Sequence, residues 1–233
     1  MIYSRGNAAK EWILQDLNRS IGNGPVRILD LACGRGWIWK SFLAEHVNVS
    51  VVGVDTDAEA IQRGNAENAG ITRFELRTFD AQQSMNDSGF EFALALSALE
   101  HVVDHAAFLK TVWESLKPNG VAYLNYDAGH FRSRNIKERI MVPVSQLLAM
   151  IGYEEPYMKK VDDAEFQTLC TAQGFQILNT HKHNLHPLKG FMKGASDEAI
   201  AAWCEFEDKL NRMYSPDELD RVMWSTTVIC KKP

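Results

Sequence analysis

The chain has 233 residues, 45% hydrophobic and 24% charged, an ordinary globular composition long enough to bury the core of one domain. Its formal net charge of -5 gives no bulk electrostatic footprint for nucleic acid and points to a small-molecule partner. Cys33, Cys170, Cys204 and Cys230 form no C-x-x-C pair, which argues against a zinc knuckle or redox motif, leaves no metal expected, and fits a reduced, cytoplasmic chain.

Residues 1–7 lack the apolar core of a signal peptide. The most apolar later run, 140–153, is interrupted by Pro143, Ser145, Gln146 and Gly152, so no membrane-spanning segment and no membrane partner are expected. Ala8 to Asn18 carries Trp12, Ile13 and Leu17 at helical spacing and is stopped by Gly-Asn-Gly-Pro at 22–25. Residues 26–36, Val-Arg-Ile-Leu-Asp-Leu-Ala-Cys-Gly-Arg-Gly, then read as a buried strand running into a glycine-rich turn. A helix over Trp37 to Glu45 follows, then a β-branched strand over Val49 to Val54 ending in Asp55. Asp57 reads as the N-cap of a helix to Ala69, closed by Gly70, and Arg73 to Phe79 as a third strand ending in Asp80. Phe90 to Leu96 is the fourth strand. Asp104 caps a helix with Phe108, Leu109, Val112, Trp113 and Leu116 on one face, and Lys-Pro-Asn-Gly at 117–120 turns it into a fifth strand over Val121 to Tyr126.

Alternation lapses at 128–160, where Arg132, Arg134, Lys137 and Arg139 form a basic cluster, and this segment reads as an inserted cap. Asp162 or Asp163 opens a helix to Gly174, and Phe175 to Thr180 is a sixth strand. A second insertion, 183–223, holds a helix with Ile200, Trp203, Phe206 and Leu210 inward, then Ser-Pro-Asp-Glu at 215–218 with capping-box chemistry. Trp224 to Cys230 closes the chain as a strand. This alternation predicts an α/β fold, a doubly wound parallel sheet as one domain over 1–233, with its ligand beyond the carboxyl ends of the strands. Asp30, Asp55, Asp80, Ser97 and Asp127 should gather along that rim.

Gly34-x-Gly36 after a strand serves several nucleotides. The third glycine of the dinucleotide fingerprint would fall at Trp39, too bulky for close helix–strand packing, and no Gly-Lys-Ser/Thr follows. Asp55, nineteen residues after Gly36, is placed to accept from both hydroxyls of a ribose. Asp80 can accept from an adenine amine with the Ala81 amide beside it, and Asp30 can face a ligand ammonium. Cys33 reads as a small residue suited to the turn, not as a nucleophile. Trp37 and Trp39 are as readily core as site.

Residues 29–36 (Leu-Asp-Leu-Ala-Cys-Gly-Arg-Gly), 54–57 (Val-Asp-Thr-Asp), 79–81 (Phe-Asp-Ala), 99–102 (Leu-Glu-His-Val), 116–120 (Leu-Lys-Pro-Asn-Gly) and 172–175 (Ala-Gln-Gly-Phe) resemble, in order and spacing, the successive motifs of class I S-adenosylmethionine-dependent methyltransferases. The resemblance covers Arg27 to Leu178 and is nearest to the small-molecule branch of quinone and natural-product enzymes. It implies a Rossmann-like, seven-stranded, mostly parallel sheet with an antiparallel last strand and helical cap insertions. It also implies S-adenosyl-L-methionine as cofactor, with S-adenosyl-L-homocysteine as product. By the same resemblance Asp30, Ala32, Gly34 and Gly36 serve the methionyl and ribose portion, Asp55 the ribose diol, Thr56 the adenine face, Asp80 with Ala81 the adenine edge, and Ser97 the neighbourhood of the reacting methyl. The chain departs from the pattern at Glu91, where the branch commonly has aspartate, and at the large Trp37 and Trp39.

Methyl transfer is an in-line displacement that needs alignment and, for a hydroxyl acceptor, a base. His130, just past the fifth strand, is the first choice of base. His101 is the second catalytic candidate, though a pocket-wall role suits its motif better. His181 and His183 can share one face of a strand, read as a polar strand end in preference to a metal pair. The expected acceptor is an O or N atom of a small molecule, with the cluster at Arg132, Arg134, Lys137 and Arg139 available to an acidic group and a homodimer allowed. Leu-Ser-Ala-Leu at 96–99 lacks the Asn/Asp-Pro-Pro-aromatic motif of base-amino methylation, so nucleic acid is disfavoured. An RNA or protein methyltransferase, another nucleoside-dependent transferase such as an aminopropyl transferase, and a non-catalytic S-adenosylmethionine-binding module are the alternatives.

Overall fold

The apolar runs enter one sheet as β1 (Val26–Leu31), β2 (Val49–Asp55), β3 (Phe74–Thr78), β4 (Phe90–Ala95), β5 (Leu116–Asp127), β6 (Gln176–Leu185) and β7 (Met223–Lys231). This computed structural model describes residues 7–128, 131, 136–153, 157–185, 192 and 194–233. Strand order is β3-β2-β1-β4-β5-β7-β6, and β7 runs opposite to the other six strands. The carboxyl ends of β1 to β6 therefore share one rim, joined there by the start of β7. Chain order reverses at β1, between β2 and β4, which makes the end of β1 the switch point where a ligand crevice forms.

The helices are α1 (Ala8–Ser20), α2 (Trp39–Glu45), α3 (Ala58–Glu67), α4 (His105–Ser115), α5 (Ile136–Met150), α6 (Asp163–Ala172), α7 (Asp197–Met213) and the single turn α8 (Pro216–Leu219). The side chains of Asn7, Asp57, Asp104, Asp162, Ser196 and Ser215 accept first-turn N–H groups, satisfying donors that the helices cannot pair internally. Ser215 and Glu218 complete the expected capping box. Adjacent residues of each central strand face opposite sides of the sheet. Leu29, Val52 and Ala93 pack with Phe108, Leu109 and Phe166 of α4 and α6, whereas Ile28, Val51 and Leu94 pack with Trp12, Trp39, Phe42 and Cys204 of α1, α2 and α7. Burial on both faces is why these strands read as continuous apolar runs.

Four assignments differ from the sequence reading, and other element ends shift by one or two residues, α2 beginning at Trp39 and not at Trp37. Residues 117–120 do not separate helix from strand; they open β5 with a register shift against Phe90, because Asn119 N–H and Gly120 C=O hydrogen-bond the closing Lys232. β6 runs on to Leu185, so His183 and its neighbours continue the sheet instead of opening the second insertion. The inward face of α7 is Ile200, Cys204 and Glu207, with Phe206 turned to solvent, because Glu207 finds partners inside. α3 ends at Glu67, two residues before the expected Ala69.

Candidate active site

The end of β1 turns back through three residues in left-handed backbone, Ala32, Gly34 and Gly36 at φ 57°, 56° and 65°. Cys33 N–H donates to Val54 C=O at 3.1 Å and Gly36 N–H to Cys33 C=O at 2.9 Å, fixing the turn against β2. Packing explains Gly36, since a Cβ there would lie 2.2 Å from the Phe74 ring. Gly34 differs. A Cβ built on it meets no atom within 4 Å, so this part of the turn faces open space at the rim.

Asp55 grips the turn from the neighbouring strand. Its Oδ2 accepts Gly34 N–H at 2.7 Å and its Oδ1 accepts Asp57 N–H at 2.9 Å. A carboxylate has about four acceptor sites, so two remain for a diol. Thr56 follows, exposed. Phe79 N–H donates to Asp55 C=O at 2.9 Å, which draws the end of β3 toward the same rim. There Asp80 Oδ1 accepts Gln82 N–H at 2.9 Å, and the Ala81 side chain packs on the core. Asp57 is a helix cap, its Oδ1 accepting from Glu59 and Ala60.

Asp30 lies deeper than the sequence suggested. It is 3% exposed and its Oδ2 accepts Trp39 Nε1–H at 2.6 Å. Burial raises its carboxyl to about 7, opposed by the Trp39 hydrogen bond and by Lys10 of α1. Trp39, in the seat of a third glycine, is fully buried core and caps this carboxyl. Trp37 stays at the surface, donating to Glu67 Oε2 at 2.8 Å. Cys33 has its thiol pushed far up by burial and by Asp30, which suits a packing residue.

A methyltransferase-domain family model matches residues 6–226. The chain belongs to that family. The methyltransferase is 28% identical over 189 residues to a ubiquinone biosynthesis O-methyltransferase of Azorhizobium caulinodans, covering 75% of this chain and 68% of that protein. It is 27% identical over 129 residues to a trans-aconitate 2-methyltransferase of Deinococcus radiodurans, covering 55% of this chain and 48% of that protein. In fold it resembles an S-adenosylmethionine-dependent methyltransferase of Mesorhizobium loti, with a TM-score of 0.61 at 20% identity over 97% of this chain and 98% of that one.

Further along the same rim, after β4, Ser97 adopts a left-handed backbone at φ 54°, held by Asn125 Oδ1, which accepts its N–H at 3.1 Å. Asn125 is fully buried and its Nδ2 lies within 3.0 Å of Ser225 Oγ, Thr226 C=O and Thr227 Oγ1. Sequence reading missed Asn125, which sits mid-strand with no local motif to mark it. His101, in a short 3-10 turn at Leu99–His101, places Nδ1 3.1 Å from Tyr157 C=O. A carbonyl only accepts, so Nδ1 carries the proton and Nε2 of the neutral ring keeps its lone pair. His130, Arg132 and Arg134 lie outside the described residues.

His181 and His183 do share a face, stacked with ring centroids 4.4 Å apart, but they are buried and not a polar strand end. Trp12 of α1 stacks on His181, and Asp208 Oδ1 receives both Trp12 Nε1–H at 2.7 Å and His181 Nε2 at 2.8 Å. His183 Nε2 lies 3.0 Å from Thr227 Oγ1. Burial lowers both histidines, His183 strongly, and raises Glu207 of α7 to about 7. Glu91 is a structural residue at the far end of β4, accepting Arg27 N–H at 2.6 Å and pairing with Lys117 at 2.7 Å.

Proposed function

We propose that this methyltransferase moves a methyl group from S-adenosylmethionine to an oxygen atom of a small-molecule acceptor. The observation that carries the reading is the turn after β1, where Gly34 faces open space beside a carboxylate, Asp55, that already holds the turn and has acceptor capacity left. The cofactor's sulfonium supplies an electrophilic methyl with a neutral thioether as leaving group. Gly34, Gly36, Ala32 and Asp30 form the cradle for its methionyl and ribose part. Asp55 accepts from the ribose hydroxyls, and Thr56, Asp80 and Ala81 border the adenine. Ser97, fixed by Asn125, sets the wall beside the reacting carbon.

The acceptor is held under the segments at 128–160 and beyond β6, which serve as substrate caps in the single domain. The relatives' names support oxygen, one enzyme being an O-methyltransferase of ubiquinone biosynthesis, and the trans-aconitate enzyme fits an acidic acceptor that the basic residues 132–139 can meet. His130 and His101 are the two candidate bases. His101→Asn keeps a donor where Nδ1 bonds Tyr157 C=O and removes the basic Nε2. It should lower kcat on a hydroxyl acceptor by about 10²- to 10⁴-fold, with little change in KM. Labelled-methyl transfer from S-adenosylmethionine to panels of phenols, hydroxy acids, carboxylates and amines tests the reading. Label on a hydroxyl or carboxyl oxygen supports it. Label only on RNA or protein, or cofactor binding with no turnover, overturns it in favour of a macromolecular enzyme or a non-catalytic binding module.

A further inference from the structure

The less exposed side of α5 mixes Val142, Leu148 and Ala149 with two polar residues: Ser145 is 1% exposed, donates from Oγ to Val142 C=O at 2.7 Å and accepts Met158 N–H at 3.2 Å, and Gln146 Nε2 donates to Met158 C=O at 3.1 Å. Its solvent side is apolar. Ile140, Val144, Leu147 and Ile151 follow each other at helical spacing and are 58%, 40%, 64% and 79% exposed, flanked by Met141 and Met150. A continuous exposed apolar face of this kind marks a contact surface.

The neighbouring sequence says what kind of surface. Residues 132–139 carry four cations, Arg132, Arg134, Lys137 and Arg139, against the single carboxylate Glu138, in a chain whose net charge is -5. Phe131 stands before that cluster, and Tyr153, half exposed, closes the apolar run. Cations, then an apolar helical stripe, with aromatic residues at both ends, match the chemistry of an interface between anionic headgroups and acyl chains. Length separates lying from spanning: fifteen helical residues reach roughly 22 Å, short of the hydrocarbon core. No helix among the described residues is long and apolar enough to cross a membrane.

We infer that α5 is an interfacial helix by which this protein adsorbs to an anionic lipid surface, its apolar stripe in the acyl boundary, the cations that precede it in the sequence favouring anionic over neutral lipid. The expectation of no membrane partner came from the absence of a span, which does not bear on adsorption. The segment after α5 is tied to the active rim, Lys159 N–H donating to Glu100 C=O at 2.9 Å and Tyr157 C=O bonding His101. Adsorption would therefore set the rim one helix from the bilayer.

Co-sedimentation of the full chain with lipid vesicles tests this. Wild type should partition onto mixed phosphatidylcholine–phosphatidylglycerol vesicles, and about tenfold less onto phosphatidylcholine alone or at high salt. Leu147→Ser with Ile151→Ser, both at exposed positions, should keep its circular dichroism spectrum and lose at least about tenfold in partitioning. No binding of wild type to the mixed vesicles, or equal binding by the double variant, overturns the inference. So does a wild-type dimer in sedimentation velocity that the same variant turns into monomer, which would assign the stripe to a second copy of the chain.

Discussion

Glu207 Oε2 and His183 Nδ1 face each other at 3.8 Å, both buried and neither hydrogen-bonded. Burial pushes the carboxyl up and the imidazole down, so each tends to its neutral form and the contact is not an ion pair. With its ordinary value at 4.5 and its folded value at about 7, Glu207 binds an extra proton in the folded chain between those limits. Stability from this group therefore falls as pH rises through that window, by roughly 3 kcal/mol in all. His181 and His183, lowered from 6.5, act oppositely and cost stability as pH falls below that value. Glu207→Gln keeps the Oε1 acceptor for Leu185 N–H and Trp203 Nε1–H and offers a donor to His183. Urea denaturation should find it level with wild type near pH 5 and more stable by about 1–3 kcal/mol near pH 8. Equal destabilisation at both pH values would contradict the assignment. Nothing local in the sequence marks Glu207. The apolar stripe Ile200, Trp203, Phe206 and Leu210 passes it by, and its burial is decided by partners on β6.

At the scale of elements, the strand–turn–helix unit at 26–45 was legible because it rests on local chemistry, a β-branched run, glycines in left-handed backbone and a helix beyond. The two glycines of that turn have different reasons to be there, which only packing separates. Gly36→Ala combines a positive φ with a Cβ 2.2 Å from the Phe74 ring and should cost about 2 kcal/mol or more in denaturant unfolding. Gly34→Ala carries the backbone strain alone, about 1 kcal/mol, and should instead show most of its loss in cofactor affinity. The reverse ranking of the two in stability would refute this division. The lengths of β5 and β6 were less legible, because His183 is recruited by β7, and Asn119 and Gly120 by Lys232 just beyond it, far away in sequence. Trp39 shows the same limit. Its bulk excluded a dinucleotide turn, but its bond to Asp30 appears only when α2 docks on the sheet.

At the scale of the whole molecule, a seven-stranded sheet with an antiparallel last strand was legible through resemblance to a family, whereas the strand order β3-β2-β1-β4-β5-β7-β6 appears only in the structure. That order places the glycine turn, Asp55, Asp80 and Ser97 at the carboxyl rim, as alternation had led one to expect. Side-chain partners at that rim were less readable: Asn125 and Lys10 belong to no short motif, and His101, though marked by the 99–102 motif, shows its bond to Tyr157 C=O only in the folded chain. The family assignment makes the chain a methyltransferase, and its central chemical commitment is a site for S-adenosylmethionine on the turn that Asp55 holds. Titration calorimetry with S-adenosylhomocysteine tests this most directly. The expected result is one molecule bound per chain, with affinity reduced at least about tenfold in Asp55→Asn, a variant that retains an acceptor for the turn. No binding by the wild-type protein, or undiminished binding by a folded Asp55→Asn protein, would contradict it.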